Sequence, residues 1–160
     1  MALLDFTKDF LQGVAREALD NLAASRGISK TQGSAGRIGG KSIEEWDREW
    51  ISIGMLKTAD LSPYSHYVGL YRHVINGRTM YVGRAIEWNN GGFRKRLSDY
   101  RRGSDSARTH TSGRLIHEHL DEIRTYLLIV GSDAEAAEVT KQLEGRFIAK
   151  YGSPWNKMLK

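Results

Sequence analysis

Apolar and polar positions alternate along this chain with two different periods, and the changes of period mark its elements. From residue 3 to residue 23, Leu3, Phe6, Phe10, Val14, Ala18 and Leu22 recur at helical spacing, with Leu4, Leu11 and Leu19 widening the stripe. The other side carries Lys8, Asp9, Arg16, Glu17 and Asp20, so residues 1–26 are predicted to hold an amphipathic helix. Residues 27–41 are rich in Gly and Ser and read as a flexible linker. Ser42 and Glu45 form a capping box that opens a short helix to about Ile53, with Trp46 and Trp50 on its Ile43 face. Gly54 to Ser65 is an irregular approach, with Pro63 as a stop, and 42–63 stands as a short helix and approach before a domain at 64–160. From about 67 to 84 the period becomes two: YVGLYRHVINGRTMYVG is two strands joined at Asn76-Gly77.

The alternation also bears on the hairpin register, because a slip of one residue turns every side chain of a strand to the other face. A two-residue loop at Asn76-Gly77 puts Tyr71 opposite Val82 and mixes apolar and polar positions. A three-residue loop, with Gly77 left-handed in a bulge, puts Tyr71 opposite Tyr81. It collects Val68, Leu70, Val74, Met80 and Val82 on one face with Arg72, and Gly69, Tyr71, His73, Thr79, Tyr81 and Gly83 on the other. The second register is expected. Its polar face holds two neighbouring phenols, and its glycines leave space above the strands. Tyrosine pairs are also ordinary strand packing.

Beyond the hairpin, Asn89-Asn90-Gly91-Gly92 is turn material, and a helix follows from Phe93 to Arg102 with Phe93, Leu97 and Tyr100 inward. A polar loop leads to a helix capped by Ser112. RTYLLIVG at 124–131 is the strongest strand pattern, and Ser132 with Glu135 opens a long helix that Gly152 and Pro154 end near Tyr151. The expected fold is α+β: a small antiparallel three-stranded sheet flanked by helices, with an N-terminal helical extension.

Composition sharpens this in two places. Of 160 residues 40% are hydrophobic and 27% charged, an ordinary ratio for one core plus an appendage. No cysteine is present, which excludes disulfides and thiolate zinc sites, and no apolar run is long enough for a membrane span. The start has no basic region leading into an uninterrupted apolar run, so a cytoplasmic protein is expected, with delivery into another cell left open. The net charge of +5 is placed unevenly. Arg84, Arg94, Lys95, Arg96, Arg101, Arg102, Arg108 and Arg114 stand against Glu87, Asp99 and Asp105, so 84–114 carries the whole excess. A guanidinium fork matches phosphate geometry, so this stripe is either a nucleic-acid footprint or a solvated face.

GLY at 69–71, YVG at 81–83, FRKRLSDY with Arg96 and Tyr100 four apart, and LEGRFIAKYGSPWN with Glu144 and Asn156 together resemble the GIY-YIG nuclease family over about Val68 to Lys157. The family often has histidine where this chain has Tyr100. Its DNA-repair members carry tyrosine there, and a basic residue matching Arg84. His110 sits where homing-type members carry another histidine. Residues 1–60 lie outside the resemblance.

The resemblance implies a metal-dependent DNA endonuclease with a tyrosine/arginine/glutamate site. Tyr71 would be the general base on water, Tyr81 would position water or phosphate, and Arg96 would hold the scissile phosphate. Tyr100 would hydrogen-bond in place of the usual histidine. Glu144 would bind one Mg²⁺ (or Mn²⁺) per site, and Asn156 would hold the site together or orient Glu144. Arg84, Arg94, Lys95, Arg101, Arg102 and His110 are the candidate DNA contacts. Each has a plainer reading: Glu144 as a surface ion pair with Lys141 or Arg146, Arg96 as one exposed arginine among many, Asn156 as turn chemistry. Two alternatives keep the fold without cleavage, an inactive nucleic-acid-binding module and a partner-recruiting adaptor. DNA is the expected partner, with a homodimer or protein partner through the N-terminal helix and no membrane.

Overall fold

The structure, a computed structural model, describes residues 36–102 and 111–157. The predicted N-terminal helix, most of the linker, Arg108 and His110 lie outside the described residues.

In chain order the elements are α1 (Ile43–Asp47), β1 (Ile51–Met55), a 3₁₀ turn (Ser62–Tyr64), β2 (Val68–Ile75), β3 (Arg78–Ala85), α2 (Gly92–Arg102), α3 (Thr111–Glu118), β4 (Arg124–Gly131), α4 (Ala134–Tyr151) and α5 (Pro154–Lys157). The strands form one sheet of four, not three, in the order β1-β4-β2-β3, with every neighbouring pair antiparallel. The additional strand is ISIGM, where the helix was expected to run on to Ile53. That helix stops at Asp47, and Ile51 onward pairs with β4 through a bulge at Ile53, beside Gly54 at φ +85°. Segment 42–63 is thus built into the sheet and its core.

Capping follows the sequence at two ends: Ser42 Oγ accepts from the Glu45 N–H at 3.2 Å, and Gly152 closes α4 at φ +56°. Ser112, expected as a cap, lies inside α3 instead. At the start of α4 the cap is Asp133, not Ser132: its carboxylate accepts from the Ala136 N–H at 2.8 Å. A carboxylate there also meets the positive end of the helix dipole.

The hairpin departs from the expected register in an instructive way. Ile75 faces Arg78 and Val74 faces Thr79, so the loop is the two-residue Asn76-Gly77 turn, both residues at positive φ (+49° and +77°), a type I′ geometry. The register then shifts, with His73 opposite Tyr81 and Met80 as the extra residue. Tyr71 consequently faces Gly83 rather than Tyr81. The bulge restores the parity that the two-residue loop had lost, so Tyr71 and Tyr81 still share a face. Thr79 and Met80 exchange sides relative to expectation: Thr79 accepts from Arg72 Nη1 at 3.0 Å, while Met80 packs with the tyrosines.

Helices cover both faces. Val68, Leu70, Val82, Leu128 and Val130 meet Leu143 and Phe147 of α4 and Trp46 of α1. Tyr71, Tyr81, Leu127 and Ile129 meet Phe93, Leu97 and Tyr100 of α2, Ile116 of α3 and Trp155 of α5. Among the described residues no helix is long and apolar enough to cross a membrane.

Candidate functional site

The site builds up from one strand pair and three helices at the β3 edge of the sheet. Gly83 permits it. A Cβ at Gly83 would lie 2.4 Å from Cζ and Oη of Tyr71, so the Tyr71 ring crosses its partner strand only because that position has no side chain. Gly69 has the same relation to Phe93: a Cβ there would stand 1.9 Å from the Leu128 carbonyl oxygen and 3.0 Å from the Phe93 ring. The space above the glycines is therefore filled, and the tyrosine face is covered, not open. Tyr71 has 0% exposure, and Tyr81 and Tyr100 are buried.

Helix α2 delivers Arg96 and Tyr100 together, four residues apart on one side. The Tyr71 and Tyr100 hydroxyls lie 2.6 Å apart, and Arg96 Nε donates to Tyr71 Oη at 3.3 Å. His117 of α3 holds that end of α2, its Nδ1 bonded to the Tyr100 carbonyl at 2.7 Å. Tyr81 sits 6.3 Å from Tyr71, ring to ring, with the Ser112 side chain bonded to its phenol.

The electrostatics of the cluster point one way. Burial, with the Tyr71 phenol as close neighbour, pushes the Tyr81 and Tyr100 phenols up, and the Tyr71 oxygen raises the Arg96 guanidinium further. Two phenols are thus held as neutral donors, and the guanidinium stays charged.

His73 belongs to this cluster, although the sequence offered no signal for it beyond its parity. It is fully buried, stacked on Tyr81 at 6.1 Å and edge-on to Tyr100 at 5.5 Å. Its Nδ1 pairs with Thr125 Oγ1 at 2.9 Å, and its Nε2 has no protein partner. Burial lowers its pKa to about 3, which keeps the ring neutral.

Glu144 approaches from the other side of the β3 edge. Its carboxylate pairs with Arg84 at 3.1 Å, not with Lys141, which binds Glu138, nor with Arg146. Desolvation raises the Glu144 pKa while Arg84 and Arg96 oppose the rise, so Arg96 is felt by both the tyrosine cluster and the carboxylate. Asn156 completes the edge. Its Oδ1 accepts from the Val82 N–H and its Nδ2 donates to the Val82 carbonyl, both at 2.8 Å, so a side-chain amide pairs with the free edge of β3 as a neighbouring strand would. Ser153 Oγ donates to the same Oδ1. This clamps the chain between Tyr81 and Gly83.

A groove of about 230 Å³ opens at this edge, lined by Arg84, Ile86, Glu87, Lys95, Arg96 and Asp99 among others. Of the expected DNA contacts, Arg84 and Lys95 line it, and Arg94 is exposed on the neighbouring turn of α2. Arg102 is exposed and pairs with Asp99 at 2.6 Å. Arg101 has backbone partners: its Nε donates to the Leu56 carbonyl at 2.7 Å and its Nη2 to that of Ala59, so it ties α2 to the segment after β1.

Among the described residues no three His, Cys, Asp or Glu side chains converge to hold a metal ion. Glu144 alone, with solvent on one side, is a donor set that suits a hard cation retaining most of its water.

No protein-family model matches this chain, and no curated protein does. Among solved structures the chain is similar to the GIY-YIG N-terminal endonuclease domain of UvrC from Thermotoga maritima. One such structure, with magnesium as its catalytic divalent cation, is 22% identical and covers 57% of this chain and 85% of that one, at a TM-score of 0.41. A point mutant bound to its catalytic divalent cation is 23% identical over 57% and 84%, at a TM-score of 0.40.

Proposed function

We propose that the chain is a metal-dependent DNA endonuclease whose scissile phosphate sits in the groove beside β3. The observation that carries the reading is the position of Arg96. It lines the groove, donates to the Tyr71 oxygen, and acts electrostatically on Glu144, so one guanidinium joins the phenols to the carboxylate.

In this reading Arg96 and Arg84 bind the phosphate oxygens, the pairing for which a guanidinium fork is suited. Tyr71 is closed over by Arg96 and Tyr100 in the structure, so Arg96 turning onto the phosphate is what admits water to the Tyr71 oxygen. With its own proton given up to solvent and Tyr100 donating to its oxygen, Tyr71 takes a proton from water as that water adds to phosphorus; the P–O bond to the leaving oxygen breaks, and that oxygen takes a proton from solvent. Tyr81 holds the water or the phosphate. Glu144 would hold one Mg²⁺ or Mn²⁺, which supplies charge neutralisation on the phosphoryl oxygens. Asn156 and His73 hold the strand and the rings in register.

The test is cleavage of supercoiled plasmid with Mg²⁺, in wild type and Glu144→Ala, with a chelator control. Wild type should nick or linearise the plasmid, and the variant should lose at least about a hundredfold in rate. Tight binding with no cleavage by either protein favours a binding module that keeps the fold, a reading to which the sealed Tyr71 also lends weight.

A further inference from the structure

We propose that Trp88 is a stacking platform for an unpaired base, which makes single-stranded or locally unpaired nucleic acid the preferred ligand of this groove. The inference deepens the nuclease reading and rests on it only for the identity of the phosphate in the groove.

Three of the four tryptophans, Trp46, Trp50 and Trp155, pack against the two cores, whereas Trp88 is 39% exposed. It stands on the connection between β3 and α2, directly after Ile86 and Glu87, which line the groove. That connection is pinned. The Trp88 N–H donates to the Ile86 carbonyl at 3.0 Å, the Asn90 and Gly92 N–H groups both donate to Glu87, and the Glu87 carboxylate pairs with Lys95 at 2.6 Å. The indole is thus carried on a braced turn at the rim of the groove, one residue beyond the lining Glu87, in a groove whose lining bases are Arg84, Lys95 and Arg96.

The chemistry selects the ligand. A duplex covers the faces of its bases with their neighbours, so a lone indole at a phosphate groove can stack only on a base that is unpaired or flipped out. A protein partner fits less well. Among the described residues the only other exposed large hydrophobic is Ile51, on β1, and β1 and β3 are opposite edges of the sheet. The two cannot form the contiguous apolar patch a protein interface needs.

The experiment uses the full chain in chelator, so that binding is read without cleavage. The probes are a fluorescein-labelled oligothymidylate of about 12 nucleotides, within the site sizes of single-strand binders, and a duplex of the same length. Wild type should bind the single strand more tightly than the duplex, and titration should quench tryptophan emission. Trp88→Ala should weaken single-strand binding on the order of tenfold to a hundredfold and abolish the quenching, while Trp88→Phe keeps most of the affinity. Near-UV dichroism from the three remaining tryptophans checks that the variants fold. Equal binding by Trp88→Ala and wild type, unquenched emission, or equal affinity for the duplex overturns the inference. With Mg²⁺ restored, plasmid cleavage by wild type together with unchanged single-strand binding by Trp88→Ala would remove the stacking platform and leave the nuclease. Quenching and Trp88-dependent binding without any cleavage would remove the nuclease and leave the platform.

Discussion

The two faces of the sheet are made by the same strands and hold different chemistry. Leu70 and Val82 point to one side, Tyr71 and Tyr81 to the other. Under α4 the sheet meets Leu143, Phe147 and Trp46 in a mainly apolar core, whose stability follows from apolar area removed from water and whose one guanidinium, Arg72, lies against the Trp50, Tyr126 and Tyr151 rings. Under α2 and α3 equally buried positions hold phenols, His73 and Thr125, each polar atom needing a partner in the dry interior. Most have one: Tyr71 with Tyr100, His73 Nδ1 with Thr125, Tyr81 with Ser112. The first face holds the strands in place, and the second sets phenols, an imidazole and a guanidinium at fixed distances.

If that division is right, the faces fail differently. Phe147→Ala should cost about 3–5 kcal/mol in stability, the largest effect expected, with the rate per folded molecule unchanged. Chemical denaturation with a cleavage assay well below the midpoint measures both. Arg96→Ala should do the reverse and slow cleavage about 10²–10³-fold, since it removes one charge-stabilising donor. Its midpoint should stay close to wild type. An equal loss of rate in both variants would end the division between the faces.

Much of this was legible beforehand, and the misses have physical reasons. Tyr71, Tyr81, Arg96, Tyr100, Glu144 and Asn156 were all picked from the sequence, and the structure gathers them at one sheet edge. The hairpin register was misread because two arrangements share one parity. A three-residue loop and a two-residue loop with a later bulge both put Tyr71 and Tyr81 on the same face; they differ only between Arg78 and Met80, where alternation favours the wrong one. Strand β1 was missed because ISIGM follows a capped helix with no Pro or Gly before Ile51, and only pairing with β4 decides it. The backbone role of Arg101 is not legible, because charge in a sequence does not reveal a carbonyl acceptor some 40 residues away. His73 carried no motif at all.

His73 gives the comparison a pH test. Its folded pKa, about 3, lies below the ordinary value of 6.5, so the unfolded chain binds the proton more tightly. The stability this neutral ring supports is present above pH 6.5 and is lost as pH falls from there toward 3. Glu144 runs oppositely: its raised pKa favours the protonated folded form, so its burial lowers stability as pH rises through the carboxylate range. His73→Phe should flatten the loss of melting temperature between pH 6.5 and 4, and an unchanged slope would mean that the polar face is not the acid-sensitive one.

Asn156 tests whether the two faces share an edge. Asn156→Ala strips the Val82 N–H and carbonyl of their partner and should cost about 1–3 kcal/mol. Asn156→Asp keeps the acceptor and loses the donor, so it should fall between. Because Val82 lies between Tyr81 and Gly83, hydrogen exchange should quicken across the whole YVG segment on both faces. Exchange confined to Val82 would show the clamp to be local.

The smallest effect separates the outside of α2 from its inside. Arg94 is exposed near the groove, whereas Arg101 is committed to two backbone carbonyls. Each phosphate contact removed should lower the slope of log affinity against log salt by about 0.9 for duplex and about 0.7 for single strands. Arg94→Ala should therefore flatten the slope by about one contact with the melting point kept. Arg101→Ala should leave the slope unchanged and lower the melting point, because Leu56 and Ala59 lose their donor. The reverse pattern would put the phosphate path along Arg101, at the far end of α2 from Trp88, and move the ligand away from the groove.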